Sequence, residues 1–414
     1  MDKDEIAKPQ NNNEVITWNL NVVKEAVDKN FPKLWNTFEI CLSVIATLKL
    51  KDLKDPTGLN LIGDPSSEKG TVLSCFYGCD HIYRTDGFTP HSFVSGINLP
   101  KQQLEKIDLL PRIENKCMLI PELAPVFGKR KEDLTENLSI LTRVFDGQGL
   151  TLDFGTVGKR GYERPIVFAW IGATTPLPYH VWYDMIRLGT RMFFLEIPKS
   201  NENTEDLIRD VFQTSDYNAK VSAVNEVIKN FLSNLFSFGF KNMEWNKKKD
   251  DYESYNLITR MAQLLTLLRA PLETWKAGID ETEYEYKVPM VERPKRVMQI
   301  LYNIARGHAL LYGRNYVIKE DVKILVPIVF SSMPDDRRRM WNLLIDNDDY
   351  LDYITVKNSF NVSRQHAYRI MKSLSILGVA ELHEGDTEDE YDKTRKHLLL
   401  KQGFKDLISV LKKL

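Results

Sequence analysis

The chain is poor in cysteine, has no long apolar run and carries almost no net charge, and each shortage excludes a class of protein. Four cysteines in 414 residues, Cys41, Cys75, Cys79 and Cys117, are too few for a disulfide scaffold. Cys75 and Cys79 have no second close pair and no histidine cluster beside them, so a structural zinc site is not expected. No apolar stretch approaches the ~20 residues of a transmembrane helix. The opening residues, MDKDEIAKPQNNN, lack the apolar core of a signal peptide. The expectation is a cytoplasmic protein without membrane contact. A formal net charge of -1 gives no global pull toward nucleic acid, so any DNA contact has to come from local basic clusters.

What is present is 43% hydrophobic sequence on a length that suggests two or three domains. Residues 15–50 carry apolar positions at helical spacing (Val22, Val23, Ala26, Val27, Phe31, Leu34), predicting an N-terminal helical collar over residues 1–51. Short apolar runs bounded by glycine and proline follow (LNLIG, KCMLIPEL, IVFAWIGATTP, MFFLEIP) and read as buried strands of an α/β core over 52–200. The polar stretches 200–206 and 245–252 read as exposed linkers. Helical spacing over 255–344, broken by the polar stretch 280–286, gives a helical linker and lid over 201–345. Residues 346–414 have their own compact pattern of short helices and alternating apolar residues around an acidic loop.

Residues 61–71 read LIGDPSSEKGT, where a strand should hand over to a helix. A phosphate-binding loop needs that geometry, because backbone N–H groups and a helix N-terminus wrap the phosphates while a lysine reaches the β and γ oxygens. Gly63 and Lys69 have the spacing, and Asp64, Pro65, Ser66, Ser67, Gly70 and Thr71 complete the candidate loop. Glu68 stands in place of the second glycine and Gly70 in place of the magnesium-binding hydroxyl, for which Thr71 is the nearest substitute. The bland alternative is a Gly-Pro-Ser turn entering a helix.

Downstream, KCMLIPEL carries an apolar strand into Glu122, with Pro121 before it. LDFGTVGKRGY has glycines flanking Lys159 and Arg160, GATTP follows a strand at Thr174 and Thr175, LGTRMFF contains Arg191, and ERPKR with Arg296 precedes a helix and the string YVIKEDV. In this order the elements resemble AAA+ ATPases, and among them the motor domain of minichromosome maintenance (MCM) helicases and their mobile-element relatives, over residues 60–332. The resemblance implies a P-loop NTPase core with a helical lid, using ATP and Mg2+. It implies that Glu122 polarises the attacking water and, with Thr71, holds the metal through water. Thr175 or Thr174 would sense the water, Arg191 would act as an arginine finger on a neighbour's γ-phosphate, and Arg296 would contact nucleotide from the lid. Lys159 and Arg160 would sit at the tip of a pore hairpin gripping the DNA backbone. It also implies a homo-oligomeric ring, hexameric in the family, that is assisted by loading or replication proteins. A basic surface turn and a surface ion pair are the plain alternatives for Lys159/Arg160 and Arg191. His308, on an apolar helix, reads as a packed core residue.

At the C-terminus, residues 354–360, the turn Asn361-Val362-Ser363 and a helix from Arg364 read as helix-turn-helix, with Ser363 as N-cap and Ala367, Ile370, Met371 and Leu374 inward. Gln365, His366, Arg369 and Lys372 fall on exposed turns, and Arg364 and Gln365 are the candidates for base edges. Residues 379–382 should pair with 397–400 to make a winged helix, with Lys393, Arg395 and Lys396 at the base of an acidic wing. A winged helix used for protein contact is the alternative. The leading expectation is a DNA-translocating ATPase. The rival is a non-catalytic AAA+-like DNA-binding factor of replication or of a mobile element, favoured by Glu68, Gly70 and Pro121.

Overall fold

The computed structural model describes residues 19–187, 191–198, 204–208, 217–277, 283–385 and 395–411. Five strands form a parallel sheet: β1 (Thr57–Ile62), β2 (Ile82–Arg84), β3 (Cys117–Ile120) and, after an antiparallel hairpin of β4 (Leu150–Phe154) and β5 (Gly158–Tyr162), β6 (Ala169–Thr174) and β7 (Met192–Glu196). Their order is β2-β3-β6-β1-β7. Every residue of β1, β3 and β6 is buried, as expected of near-continuous apolar runs covered on both faces. Because β6 lies between β1 and β3, the winding reverses beside β1. A crevice opens there at the carboxyl ends of the strands, where open α/β sheets take their ligands.

Helices α1 (Leu20–Asn30) and α2 (Trp35–Ala46) precede the sheet; α3 (Lys69–Ser74), α4 (Lys101–Ile107), α5 (Leu109–Arg112), α6 (Ala124–Phe127), α7 (Lys131–Val144) and α8 (Tyr179–Arg187) connect its strands. Then come α9 (Thr204–Ile208), α10 (Tyr217–Leu235) and α11 (Tyr252–Leu268), a hairpin of β8 (Thr274–Ala277) and β9 (Glu283–Tyr286), and α12 (Lys295–Leu311), α13 (Lys319–Lys323) and α14 (Leu325–Ser331). The last unit holds α15 (Asp335–Asp346), β10 (Tyr350–Asp352), α16 (Tyr353–Phe360), α17 (Arg364–Ile376), β11 (Ala380–Gly385), β12 (Arg395–Leu400) and α18 (Gln402–Leu411).

The segment read from sequence as a collar is built into the core. All residues of α2 from Thr37 to Ala46 are buried, since ICLSVIA is apolar on every side of a helix. One side packs on β1 and β6 and the other on α12. The second contact is close enough that a Cβ on Gly307 would lie 2.0 Å from the Ser43 carbonyl oxygen, so only glycine fits. The other side of the helical subdomain closes the edge of the sheet: the backbone N–H groups of Phe194 and Glu196 donate to the hydroxyls of Ser332 and Ser331, both at 2.9 Å. Strand β7 therefore does not present a bare edge.

Residues 245–252 differ from the expected exposed linker. The Asp250 carboxylate accepts from Trp245 Nε1 at 3.1 Å, from the Val317 amide at 2.7 Å and from the hydroxyls of Tyr255 and Tyr302. A lysine-rich string hides this hub because its one essential residue is an acid. The described part of the stretch 280–286 is strand β9.

In the last unit β12 lies between β10 and β11, antiparallel to both. Ser363 Oγ accepts from the His366 amide at 3.3 Å at the start of α17, and Gly378 follows the helix with φ +75. Ala367, Ile370, Met371 and Leu374 face inward. No helix among the described residues is long and apolar enough to cross a membrane.

Candidate functional site

The loop from Gly63 to Glu68 joins β1 to α3 at the crevice. Ser66 and Glu68 both adopt left-handed backbone, φ 65 and φ 62, in positions without glycine. A left-handed residue with a Cβ costs about 1–2 kcal/mol, so the packing around the loop imposes a shape that its own residues resist. Gly63 is closely approached by Ser67: a Cβ there would lie 2.5 Å from Ser67 Oγ, so a larger residue would displace that hydroxyl from Lys69. Lys69 is buried and folded back into the loop: Nζ donates to the carbonyl oxygens of Gly63 at 2.7 Å and Asp64 at 2.8 Å and to Ser67 Oγ at 3.1 Å. Burial lowers its pKa, opposed by the nearby carboxylates of Glu122 and Asp64. Asp64, Pro65 and Ser66 are exposed on the outside of the loop.

Glu68→Gly follows as a test of the strain. Relief of the left-handed cost, less the extra freedom glycine has in the unfolded chain, is expected to stabilise the protein by about 0.5–1 kcal/mol. Removing the carboxylate should also tighten nucleotide binding. Urea denaturation and titration with a fluorescent nucleotide measure both, and a destabilised variant would show that the loop is not held under strain.

Sheet register brings the other crevice residues level with the loop. Ile62 pairs with Thr174, and the Leu123 amide donates to Ala173 O at 2.7 Å, setting Glu122 beside the end of β6. Glu122 is exposed, and its Oε1 accepts from the Ala124 amide at 2.8 Å. Thr174 is buried, with Oγ1 donating to Thr175 O at 3.1 Å, and Thr175 is half-buried. Lys69, Glu122, Thr174 and Thr175 thus lie at the carboxyl ends of neighbouring strands, with Glu122 near enough to act electrostatically on Lys69.

Thr71, the nearest substitute for the missing hydroxyl, has another partner in this structure. One residue further along α3 is a rotation of about 100°, and Thr71 Oγ1 is hydrogen-bonded at 3.0 Å to the hydroxyl of Tyr217, at the start of α10. Gly70 offers no oxygen, and nothing lies within 4 Å of the place its Cβ would occupy. Pro121 leaves β3 without a carboxylate at the position before Glu122. Among the described residues no group of three or more His, Cys, Asp or Glu side chains is placed to hold a metal ion. The loop and Lys69 suit a polyphosphate; the donor set does not suit a protein-held Mg2+.

Arg191 and Arg296 lie elsewhere. Arg191 precedes β7, whose first residue, Met192, pairs with Gly58 near the start of β1. Five residues at ~3.3 Å each separate that level from Gly63, roughly 16 Å. Arg191 is buried, and its Nε and Nη2 both donate to Asp146 Oδ1, at 3.1 and 2.6 Å. Arg296, 46% exposed at the start of α12, has Nη2 3.6 Å from the same oxygen. Arg143 Nη1 donates to Asp146 Oδ2 at 3.1 Å. Burial lowers the Arg191 pKa, and the hydrogen bonds to Asp146 oppose it. Arg296, expected to contact nucleotide from the lid, thus groups with Arg191, at the other end of the sheet from Lys69. Asp146, which gathers these guanidinium groups, was not singled out in the sequence, where it stands as an ordinary acid in a turn before Gly147.

On the β4–β5 hairpin the turn is Gly155-Thr156-Val157, so Lys159 and Arg160 lie on β5 and not at the tip. Lys159 is exposed opposite Asp153 and paired with Glu163, while Arg160 points to the other face and donates to Asn98 Oδ1 at 3.2 Å. With Lys101 and Arg164 they line an open cleft of about 500 Å3. On α17, Arg364, Gln365 and Lys372 are exposed together. Arg369 and His366 instead turn into a cleft of about 390 Å3 shared with Asp335, Asp336 and Tyr286. The guanidinium of Arg364 lies 4.8 Å from the Tyr353 ring centre, and Lys396 Nζ lies 5.4 Å from that of Tyr368. Lys393 falls outside the described residues. Arg395 is described only as backbone of β12, paired with Gly385.

Residues 293–332, spanning α12 to α14, match the family model described as AAA lid domain. The chain has no match among curated proteins. The lid match, on helices that pack against a parallel sheet with a phosphate-type loop after β1, supports an AAA+ ATPase with an α/β core.

Proposed function

We propose that this chain is a subunit of an MCM-like AAA+ ring ATPase that couples ATP hydrolysis to translocation along DNA or its unwinding. The observation that carries the reading is the division of the nucleotide site: Lys69, Glu122 and Thr175 at the carboxyl ends of the strands, Arg191 and Arg296 about Asp146 near the amino ends. A single copy cannot bring both halves to one phosphate, whereas copies arranged head to tail around a closed ring complete one another's sites. The nucleotide supplies the phosphoanhydride bond whose hydrolysis drives the motor. Lys69 and the loop amides would hold its phosphates, Glu122 Oε would take a proton from the attacking water, and Thr175 would orient that water. The β4–β5 hairpin, with Lys159 and the cleft lined by Lys101, Arg160 and Arg164, supports a backbone grip on DNA that is independent of sequence. The unit from β10 to β12 is read as a winged helix, whose Arg364, Gln365, Lys372 and Lys396 are the DNA contacts. Loading or replication proteins are the expected partners.

Gly70 and Pro121 favour a second reading, a ring subunit that holds nucleotide without turning it over. Steady-state ATP hydrolysis with and without single- and double-stranded DNA separates the two. The motor reading expects DNA-stimulated turnover that falls on the order of 10²–10³-fold in Lys69→Ala and in Glu122→Gln. DNA binding without any turnover in the unmodified chain would leave the second.

A further inference from the structure

We infer that the loop after β1 takes the phosphates of a nucleotide without a metal ion held by the protein, so that nucleotide binding by this chain is independent of Mg2+. The inference rests on the nucleotide-binding reading above and concerns the same crevice.

Mg2+ demands near-ideal octahedral oxygen coordination, and in nucleotide sites it is bound by one or two protein oxygens together with phosphate and water. Here the position after Lys69 is Gly70, with open space where a side chain would be. The next hydroxyl, Thr71, lies about 100° further around α3 and is bonded to Tyr217. Strand β3 ends at Ile120, and the residue before Glu122 is Pro121. Glu122 itself is engaged with the Ala124 amide. A magnesium ion arriving with the nucleotide keeps only phosphate and water ligands, the set it has in solution. It therefore makes no bond to the protein, and its remaining effect, partial neutralisation of the phosphates, works in opposite directions: it weakens their attraction to Lys69 and relieves their repulsion from Glu68 and Glu122. The groups that do recognise the phosphates, Lys69 and the loop amides, act on either form. Arg191 and Arg296 lie at the far end of β1 and do not reach these phosphates within one copy.

The test is a titration of the full chain with a fluorescent ATP analogue, once with excess Mg2+ and once with EDTA. The two dissociation constants are expected to agree within about threefold, under half of a tenfold step in binding free energy. Lys69→Ala should weaken both at least about tenfold. In Gly70→Thr/Pro121→Asp, which supplies the two missing oxygens, binding should become about tenfold tighter with Mg2+ than with EDTA; Gly70→Ser alone, for which space exists, provides the same comparison if the double variant does not fold. Weakening of tenfold or more by EDTA in the unmodified chain would overturn the inference and leave the nucleotide site standing. No binding under either condition would overturn the nucleotide site, and the inference with it. Variants that bind without gaining any Mg2+ preference would show that Gly70 and Pro121 are not the metal positions, which also overturns it.

Discussion

Arg191→Ala is expected to lower DNA-stimulated ATP turnover by roughly 10³-fold or more, the range for loss of an arginine that completes a phosphoryl-transfer site, while leaving nucleotide binding by the variant's own loop within about threefold. The two effects separate because Arg191 lies roughly 16 Å along the sheet from Gly63, on a guanidinium already committed to Asp146. Mixing supplies the decisive measurement. Arg191→Ala copies have an intact Lys69, and Lys69→Ala copies have an intact Arg191. In the proposed ring a mixture contains junctions where a good loop meets a good arginine, so two inactive preparations should recover activity when combined. Arginine acting within its own copy predicts a mixture as inactive as its parts. Arg191→Lys keeps the charge but cannot donate from both Nε and Nη2, so it should remain well below the unmodified chain.

The strands of this core are legible in sequence because each is a short apolar run closed by glycine or proline, and such runs are buried wherever they pair. Their order in the sheet is not legible. Insertion of β6 between β1 and β3 depends on pairings between distant segments and leaves no local signature. The phosphate loop could be found from the separation of Gly63 and Lys69, but not the left-handed backbone that Ser66 and Glu68 adopt against their own preference. The hairpin illustrates how glycine misleads. Glycines on both sides of Lys159 and Arg160 suggest a tip, yet Gly161 is there because a Cβ would lie 2.0 Å from the Leu150 carbonyl oxygen of the paired strand. Close approach and tight turning call for the same residue. Arg369 was placed on the exposed face of α17 from helical periodicity alone, and periodicity carries no information on α15 and the β8–β9 hairpin, which supply the walls of its cleft.

The same limit applies to buried charge, where the largest effect on stability is expected. Asp321 is completely buried. It accepts from Arg314 through both carboxylate oxygens at 2.7 Å and from the Ile318 amide at 2.8 Å, and its Oδ1 lies 2.6 Å from His308 Nδ1. His308 Nε2 lies 3.4 Å from Glu39 Oε1 on α2, and Glu39 accepts from the Tyr312 hydroxyl at 2.5 Å. His308 is thus the packed core residue its apolar helix suggested, and it links the lid to the helix beneath the sheet. Asp321→Ala leaves Arg314 and His308 without their anion and should cost about 3–5 kcal/mol, a large share of the roughly 5–15 kcal/mol that holds a domain folded.

The pH dependence gives a second reading of the same network. Burial pushes the Asp321 carboxyl up, but hydrogen bonds with Arg314 and His308 outweigh it and hold the pKa below its usual value. Its contribution is full above the unfolded carboxylate pKa of about 4 and is lost as pH falls through the lower folded value. Burial pushes His308 down, and its bonds to Asp321 and Glu39 outweigh that and raise it. Its contribution is full below the unfolded pKa of about 6.5 and is lost as pH rises through the higher folded value. Denaturant unfolding across this range should therefore show the unmodified chain losing stability on both sides. Asp321→Ala should start several kcal/mol lower and lose most of the decline above about pH 6.5. A variant within 1 kcal/mol of the unmodified chain, or one with an unchanged alkaline decline, would show that Asp321 does not anchor the lid. Because Arg296 lies in the first turn of α12, the same variant should also disturb the position of that guanidinium and reduce the turnover of the proposed ring among the molecules that remain folded.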